Sequence, residues 1–493
     1  MSARPPLLTT DAWPRVVIIG AGIAGLCAGI RLREAGLGNP IILEKADRIG
    51  GTWRDNSYPG AACDVPSHLY SYSFALKGDW SERYAGQPEI LSYLEGCAET
   101  FGLTECIRFN AEVASADYAE PDRCWRIALT GGETIEADVL ITACGQLHRP
   151  LLPDIPGRES FAGPSFHSAR WRHDVDLANQ AVAIVGNGAS AVQIAPAIAP
   201  VVSRLTVFQR TANWIVPRRN RPYSPSTKAL LTRRPLTRRL LRAAQYWKHE
   251  ATLAVFRSGS IASRAATAAI QAKMNRKITD ERLREALIPT YPLGCKRILR
   301  TGAYLPMFHD DSVSLETAPI KRITSDGIVT SDGREHPADV IVFATGFTAS
   351  DFLAPMDIRG RGGIGLNDAW QTGASAYLGM TVPGFPNLFM LYGPGTNLGH
   401  NSVIFMIERQ VAYVTRLLLS MCPAGHREVE VRSDVLDRFT QRLQRRMARM
   451  AWSGECPSFY KDRHGRVVGL WPYSTVRYWW QTRRPRLGDY DFD

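Results

Sequence analysis

The sequence predicts an α/β fold with two Rossmann-like dinucleotide-binding domains and a helical insertion. Three observations support this prediction. A short β-branched run passes through a glycine-rich turn into a helical stretch at two places in the chain. A segment between these places alternates polar and apolar residues, as a β-hairpin does, and a later segment is helical and strongly basic. The length of 493 residues is enough for two or three domains with buried cores.

The first of the two units extends from Arg15 to Glu44. A predicted buried strand leads into a turn with Gly20, Gly22 and Gly25, and a helix and a second strand follow. Such a glycine triplet lets the backbone approach a pyrophosphate at a helix N-terminus. At the end of the second strand, the Glu44 carboxylate is placed to accept ribose hydroxyls and would repel a 2′-phosphate. This unit therefore predicts FAD or NAD, not NADP.

The second unit repeats the pattern after residue 180. Its strand ends in a turn with Gly186, Gly188, Ala189 and Ser190, and a helix and a strand follow. This strand ends in Arg210, where the first unit has an acid. A guanidinium pairs with a 2′-phosphate, so the unit favours NADPH; the alternative is that Arg210 is a solvated charge at a strand end. One acidic and one basic site together predict a flavin enzyme that accepts a hydride from NADPH.

Each unit is predicted to close with an equivalent strand, because residues 138–145 and 339–346 share an apolar run that ends in Ala-Cys-Gly or Ala-Thr-Gly. The predicted domains are 1–150, the first part of an FAD-binding domain; 151–346, an NADPH-binding domain with a helical insertion at about 218–287; and 347–493, the second part of the FAD-binding domain with a C-terminal tail.

The net charge of +12 is concentrated in the predicted insertion. Nine Lys and Arg residues lie between Arg218 and Arg242 without an acid among them. Three prolines interrupt this stretch, and it lacks a groove-entering motif or a series of stacking aromatics, so nucleic acid is not expected as a partner. Two interpretations remain open, a solvated helical face and a flank that associates with a membrane surface.

The nine cysteines are scattered and contain no Cys-x-x-Cys pair. This spacing excludes a redox dithiol, and with it a disulfide reductase, and predicts no metal site. A disulfide framework is not expected at this length, and a reducing, cytoplasmic location fits. The longest nearly apolar run, 16–30, is too short to cross a bilayer and is interrupted by glycines, so no transmembrane segment is expected.

A segment before the second unit carries a specific resemblance. Phe161-Ala-Gly163-Pro-Ser-Phe-His167-Ser-Ala-Arg-Trp171 resembles the linker fingerprint Phe-x-Gly-x-x-x-His-x-x-x-Trp of type I Baeyer–Villiger monooxygenases. The stretches 50–64, 291–297 and 344–347 look like that family's flavin-contacting segment, arginine segment and late linker motif. The resemblance extends from residue 16 to the tail. One departure is Arg172, which follows the tryptophan where the family usually has Pro or Asp.

The resemblance implies an FAD- and NADPH-dependent enzyme that uses O2 to insert one oxygen atom next to a ketone carbonyl, giving an ester or lactone through a C4a-peroxyflavin. It implies that Arg297 stabilises the peroxyflavin and the adduct oxyanion, and that Asp64 holds and polarises this arginine. It implies that Lys296 joins Arg210 and Thr211 at the 2′-phosphate.

The predicted site residues fall into three groups. The catalytic residues are Arg297 and Asp64. The cofactor-binding residues are Gly20, Gly22, Gly25, Glu44, Gly51, Thr52, Trp53, Asp64, Tyr70, Gly186, Gly188, Ala189, Ser190, Arg210, Thr211 and Lys296. The linker or hinge residues are Phe161, Gly163, His167, Trp171, Ala344, Thr345 and Gly346, among which His167 is expected to couple domain movement to the nicotinamide.

Two alternatives stay open at this point. One is an N- or S-monooxygenase of the same fold, and the other is a nucleotide-binding protein without turnover. The sequence does not distinguish a monomer from a dimer.

Overall fold

The computed structural model describes residues 14–493, so the start of the predicted first domain lies outside the described residues. The strands are, in chain order, β1 (Val16–Ile19), β2 (Ile41–Leu43), β3 (Ile107–Arg108), β4 (Val113–Ala119), β5 (Cys124–Leu129), β6 (Thr134–Ala137), β7 (Val139–Thr142), β8 (Ser165–His167), β9 (Ala181–Val185), β10 (Arg204–Phe208), β11 (Ile215–Val216), β12 (Leu299–Arg300), β13 (Val313–Glu316), β14 (Ile320–Thr324), β15 (Gly327–Thr330), β16 (Glu335–Pro337), β17 (Val340–Phe343), β18 (Asp357–Arg359), β19 (Leu388–Met390), β20 (Val429–Val431) and β21 (Tyr490–Phe492). The α-helices are α1 (Ile23–Glu34), α2 (Thr52–Asp55), α3 (Gln87–Thr100), α4 (Ala191–Ile198), α5 (Pro225–Arg233), α6 (Pro235–Ala251), α7 (Ile261–Asn275), α8 (Glu281–Leu287), α9 (Leu366–Ala369), α10 (Val403–Met421), α11 (Ser433–Met447) and α12 (Thr475–Thr482).

Two parallel sheets form the centre of the molecule. The first has the strand order β19-β7-β1-β2-β3, and the second has the order β13-β10-β9-β17-β8. Helix α1 connects β1 to β2, and α4 connects β9 to β10, so both predicted βαβ units are confirmed. Every residue of β1, β7, β9 and β17 is buried, which explains why these strands are continuous apolar runs.

The two units turn in the same way at their glycines. Gly20 and Gly186 have φ values of 104° and 110°, which favour glycine. A Cβ atom would lie 2.8 Å from the Ala143 carbonyl oxygen at Gly20, and 2.5 Å from the Ala344 carbonyl oxygen at Gly186. In both units the turn therefore packs against the end of the closing strand, β7 or β17. Within the first unit, a Cβ at Gly25 would lie 1.8 Å from the Gly20 carbonyl oxygen, so α1 also packs tightly on the turn.

Two smaller sheets, built mainly from antiparallel strands, are separate from the two parallel sheets. β4, β5 and β6 form the predicted hairpin-bearing segment between the units, with β18 added to β4 in parallel. β14, β15 and β16 form a similar meander before β17. The chain then returns to the first sheet through β19.

The predicted insertion is helical, and its two halves pack on different parts of the molecule. The helices begin at Pro225, later than the predicted start of the insertion at about residue 218, and the residues directly before Pro225 are irregular. α6 contacts the first unit and the C-terminal part, whereas Met274 of α7 and Leu287 of α8 are buried in the core of the second sheet. Among residues 14–493, every helix is too short or too polar to cross a membrane.

Candidate active site

Glu44 is buried beside the first glycine turn and holds it in place. Its Oε2 accepts a hydrogen bond from the Ala21 amide at 2.9 Å, and its Oε1 accepts from Arg54 Nη1 at 2.8 Å and from the Ala46 amide at 3.0 Å. Burial would lower the pKa of Arg54, but the Asp55 and Glu44 carboxylates outweigh it and raise that pKa. Oε2 keeps a lone pair for a further donor, such as a ribose hydroxyl.

The N-terminus of α1 presents free backbone amides to the same turn. No side chain caps this helix, and its first turn contains no acid. Gly22 faces Gly51, because a Cβ at Gly51 would lie 3.3 Å from the Gly22 Cα. Thr52 and Trp53 follow at the start of α2. A cradle that a side chain would fill, lined by amides, fits a pyrophosphate.

The second glycine turn has the same character. Gly188, Ala189 and Ser190 precede α4, whose first amides also lack a side-chain cap. Asn187 Nδ2 donates to the Thr211 carbonyl oxygen at 2.8 Å and so ties the turn to the end of β10. This cradle also fits an anionic nucleotide.

The structure brings together the three residues predicted for the 2′-phosphate. Arg210 is exposed after β10, and Lys296 Nζ donates to the hydroxyl of Thr211. Burial lowers the pKa of Lys296, and the nearby charge of Arg210 lowers it further. Within residues 14–493, neither cation forms an ion pair with a carboxylate. A phosphate dianion fits this pair because it would neutralise two like charges.

Arg297, the next residue, reaches a carboxylate of the first unit. Its Nη2 lies 3.4 Å from Asp64 Oδ2, and the guanidinium side chain is 42% exposed whereas Asp64 is 11% exposed. Burial would lower the pKa of Arg297, but the Asp64 carboxylate, together with Tyr460, Tyr392 and Cys63, outweighs it and raises that pKa. Arg297 therefore stays a cation. Asp64 Oδ1 is buried without a hydrogen-bond partner among the described residues.

Trp53 and Tyr70 form an aromatic pair next to the first cradle. Trp53 Nε1 donates to the Tyr70 hydroxyl at 3.2 Å, and the two rings meet edge to face. The segment before Tyr70 is held by Arg242 of α6, whose Nη1 donates to the carbonyl oxygens of His68 and Leu69 at 2.7 and 3.2 Å. The insertion thus supports a predicted cofactor residue of the first unit.

A second polar anchor of α6 is Glu250. This carboxylate accepts from Asn401 Nδ2 at 2.8 Å and from the Thr475 amide at 2.8 Å, and it lies 3.5 Å from His400 Nε2. Burial alone would raise the pKa of Glu250, but the donors of His400, Thr475 and Asn401 outweigh it and lower that pKa to about 2.

The two predicted linkers run side by side. His167 Nε2 donates to the Gly346 carbonyl oxygen at 3.0 Å, and its Nδ1 accepts from the Ala169 amide at 3.1 Å. Burial lowers the pKa of His167, which fits a neutral ring with its proton on Nε2. Thr345 donates to the Leu151 carbonyl oxygen, and the Leu151 amide donates to Gly346 at 2.8 Å. His167 therefore joins the linkers through backbone contacts.

The rest of the fingerprint is packed tightly. A Cβ at Gly163 would lie 2.3 Å from the Asp339 carbonyl oxygen, so this close approach requires glycine there, and a hinge role stays a prediction. Trp171 packs edge to face on Phe166, and Phe161 packs on the hydrophobic cluster under β17.

One disulfide was not predicted from the sequence, although the part of the chain that the structure describes contains no disulfide framework, as expected. Cys295 forms a disulfide with Cys456, across a sequence separation of 161 residues. The two positions lie close because the loop before Arg297 packs against the segment 451–456, where Gly454 contacts Cys295. The bond ties the arginine segment to the tail. Among residues 14–493, no group of His, Cys, Asp and Glu is placed to hold a metal ion, and the prediction of no metal stays a prediction.

Four residues of this region were not found from the sequence. Arg54, Gln193, Arg242 and Glu250 have no motif of their own. Gln193 of α4 accepts from the Tyr58 hydroxyl at 3.1 Å and donates to the Ala62 carbonyl at 3.0 Å, and so joins the two units. The available signals were the stretch 50–64, which contains Arg54, and a single acid, Glu250, in a long stretch of basic sequence.

The chain is similar to known proteins over nearly its whole length. A family model described as pyridine nucleotide-disulphide oxidoreductase matches residues 17–234. A Baeyer–Villiger monooxygenase of Streptomyces coelicolor is 41% identical, over 97% of this chain and 92% of the relative. A second, from Pseudomonas aeruginosa, is 40% identical over 95% and 90%. The chain belongs to the Baeyer–Villiger monooxygenase family.

Solved structures agree with this membership. A complex of OTEMO with FAD and NADP has a TM-score of 0.88 at 30% identity and covers 97% of this chain and 99% of that one. A steroid monooxygenase bound to NADP has a TM-score of 0.86 at 31% identity, with the same coverage. The resemblance to Baeyer–Villiger monooxygenases, which was based on the linker fingerprint, is thereby confirmed, and so is the predicted fold class.

Proposed function

We propose that this Baeyer–Villiger family member uses FAD, NADPH and O2 to insert one oxygen atom next to a ketone carbonyl, giving an ester or lactone. One observation carries the proposal. Lys296 and Arg297 are adjacent in the chain, and the first contacts Thr211 at the second cradle whereas the second contacts Asp64 of the first unit. A permanent cation therefore lies where the two nucleotide sites meet.

FAD, when bound, would supply the redox chemistry, which is hydride acceptance from NADPH and activation of O2. The guanidinium of Arg297 would stabilise the negative charge that develops on oxygen when a ketone carbonyl is attacked. Asp64 would orient this guanidinium and keep it charged. The Trp53–Tyr70 pair would line the flavin side, and Arg210, Thr211 and Lys296 would select the 2′-phosphate of NADPH.

Relatives support both cofactors. The OTEMO structure contains FAD and NADP, and a relative from Aspergillus niger, 38% identical over 96% of this chain, is named an FAD-binding monooxygenase. The donor sets of the two cradles fit these groups, because both helices present uncapped amides. The first cradle holds the Glu44 carboxylate, and the second has Arg210 and Lys296, which have no carboxylate partner among the described residues.

The test is product analysis by mass spectrometry after incubation with NADPH, air and a panel of cyclic, linear, aromatic and steroidal ketones. Sulfides and amines are included. An ester or lactone from a ketone supports the proposal. Sulfoxides or N-oxides alone, with every ketone unchanged, would contradict it and identify an N- or S-monooxygenase.

The departure at Arg172 does not favour that alternative. Its side chain forms a surface ion pair with Asp174 and does not contact Arg297 or Asp64. Arg172→Ala is therefore a suitable control, with unchanged product formation expected. A cytoplasmic location and a ketone substrate stay predictions, and the choice between a monomer and a dimer is one that the sequence left open.

A further inference from the structure

Helix α6 docks on the protein through its polar side. Its buried residues are Gln245, His249 and, in the last turn, Glu250, and Arg242 is bound to backbone carbonyls on the side of Gln245 and His249. A surface helix of a globular protein normally buries its apolar stripe and exposes its polar side. α6 does the reverse at Leu236, Leu240 and Trp247, which are exposed, so the core of this chain does not explain why these residues are apolar.

The outer face of α6 consists of Leu236, Arg239, Leu240, Ala243 and Trp247. Leu236 is 69% exposed, Leu240 is 62% exposed and Trp247 is 59% exposed. Positions 236, 240, 243 and 247 follow one another at helical spacing, so these side chains form one stripe. Single exposed apolar residues are common, but a continuous stripe of large ones marks an interaction surface.

Cations surround this stripe and acids are absent from it. Arg233, Arg234, Arg239 and Lys248 are exposed. Between Arg218 and His249 the sequence has ten Lys and Arg residues and no Asp or Glu. A second copy of the chain placed on the stripe by a two-fold axis would bring like charges together, which disfavours self-association there. An anionic surface is complementary to this charge.

A neighbouring helix adds similar residues. The Tyr246 hydroxyl lies 2.7 Å from Thr475 Oγ1, which places the start of α12 beside α6. α12 exposes Trp479 and Trp480, and the guanidinium of Arg483 lies over the Trp480 ring. Tryptophan with arginine is typical of the boundary between water and lipid, because the ring has an apolar body and a polar edge.

We propose that the outer face of α6 binds the surface of a bilayer that contains anionic phospholipids. Leu236, Leu240 and Trp247 would enter the region between the headgroups and the acyl chains, while Arg239 and its neighbours would pair with lipid phosphates. The helix would lie in the plane of the interface. This agrees with the finding that, in residues 14–493, every helix is too short or too polar to span a membrane.

The experiment measures co-sedimentation of the full-length flavin-loaded protein with vesicles of phosphatidylcholine, either pure or with about 30% phosphatidylglycerol. We expect binding to be at least about tenfold tighter to the anionic vesicles and to weaken at high salt, since each cation near the surface adds to the attraction. The double variant Leu240→Ser/Trp247→Ser is expected to lose at least about tenfold in affinity.

The matched control is Val201→Ser/Ile364→Ser, which changes two exposed apolar residues, 52% and 53% exposed, outside α6. It should bind vesicles as the wild type does. Turnover of a water-soluble substrate without vesicles should be equal in all three proteins, which shows that each is folded. Absence of vesicle binding, or binding that the α6 variant leaves unchanged, would overturn the proposal. A wild-type dimer that the α6 variant dissociates, measured by light scattering, would also overturn it and indicate a second copy as the partner.

Discussion

The cation pair at the second cradle gives the sharpest prediction for cofactor choice. The perturbation is Lys296→Met, which keeps an unbranched aliphatic side chain but removes the ammonium group that lies over the Tyr291 ring and beside Thr211 and Arg210. We expect the KM for NADPH to rise and the KM for NADH to stay close to the wild-type value. The physical reason is that only NADPH carries the 2′-phosphate.

The magnitude follows from the environment of each cation. A hydrogen bond to a charged partner contributes about 1.5–3 kcal/mol, which corresponds to about 10- to 150-fold in the NADPH to NADH preference. Lys296 is half-buried, so Lys296→Met should lie in this range. Arg210 is exposed and screened by solvent, so Arg210→Ala should change the preference by about tenfold or less.

The assay is stopped-flow reduction of the bound flavin at varied NADPH and NADH, followed by its absorbance. Since burial and Arg210 lower the pKa of Lys296, the wild-type preference for NADPH should begin to fall with rising pH below the usual lysine range, and Lys296→Met should lack this fall. An equal preference in wild type and in both variants would refute the assignment of this cradle to the 2′-phosphate.

Three further predictions concern the arginine, the anchor of α6 and the disulfide. Arg297→Ala should keep NADPH-driven flavin reduction but lose at least about 100-fold in ester formation, measured by gas chromatography, and retained ester formation would contradict the role proposed for this cation. Glu250→Gln should lower the free energy of unfolding, measured in urea near neutral pH, by up to about 3 kcal/mol. Because the pKa of Glu250 is lowered in the folded state, the ionised form is the stabilising one, and the difference from wild type should shrink as the pH falls from about 4.5 to about 2. A difference that does not depend on pH would show that ionisation is not involved. Cys456→Ser should lower the free energy of unfolding by about 2–4 kcal/mol relative to the oxidised wild type. A reductant should lower the free energy of unfolding of the wild type by the same amount. Reaction of both Cys295 and Cys456 of the wild type with iodoacetamide before reduction would show that the bond is absent.

Local patterns in the sequence were enough to predict the frame of the molecule. The two glycine turns and their flanking strands lie within short stretches of sequence. Both turns pack closely against the end of a closing strand, so both require glycine for the same steric reason. The Arg210, Thr211 and Lys296 cluster combined such a pattern with a family resemblance, and the structure places the three together.

The remaining contacts could not be predicted, because they join distant residues that carry no motif. Arg242 is bound to carbonyls more than 170 positions earlier in the chain, and Glu250 accepts from an amide 225 positions later. Cysteine count alone could not pair Cys295 with Cys456, since the pairing depends on how the tail packs. The helical pattern of the insertion predicted its helices and left open which side of α6 faces the protein.

The docking of the insertion determines which parts of the chain can move together. The Arg83 amide donates to Arg221, the Tyr223 amide donates to Ser81, and the Ser258 amide donates to Arg449, so residues 221–258 are fastened to the first unit and the tail. α7 and α8 then return to the second sheet. If the second unit rotates during turnover, the chain would bend before residue 218, just after residue 258 and at the linkers around Gly163 and Gly346, while the disulfide keeps Cys295 with the tail. The first unit, which would hold the flavin, could then stay bound to a membrane surface while the second unit, which would hold the nicotinamide, rotates.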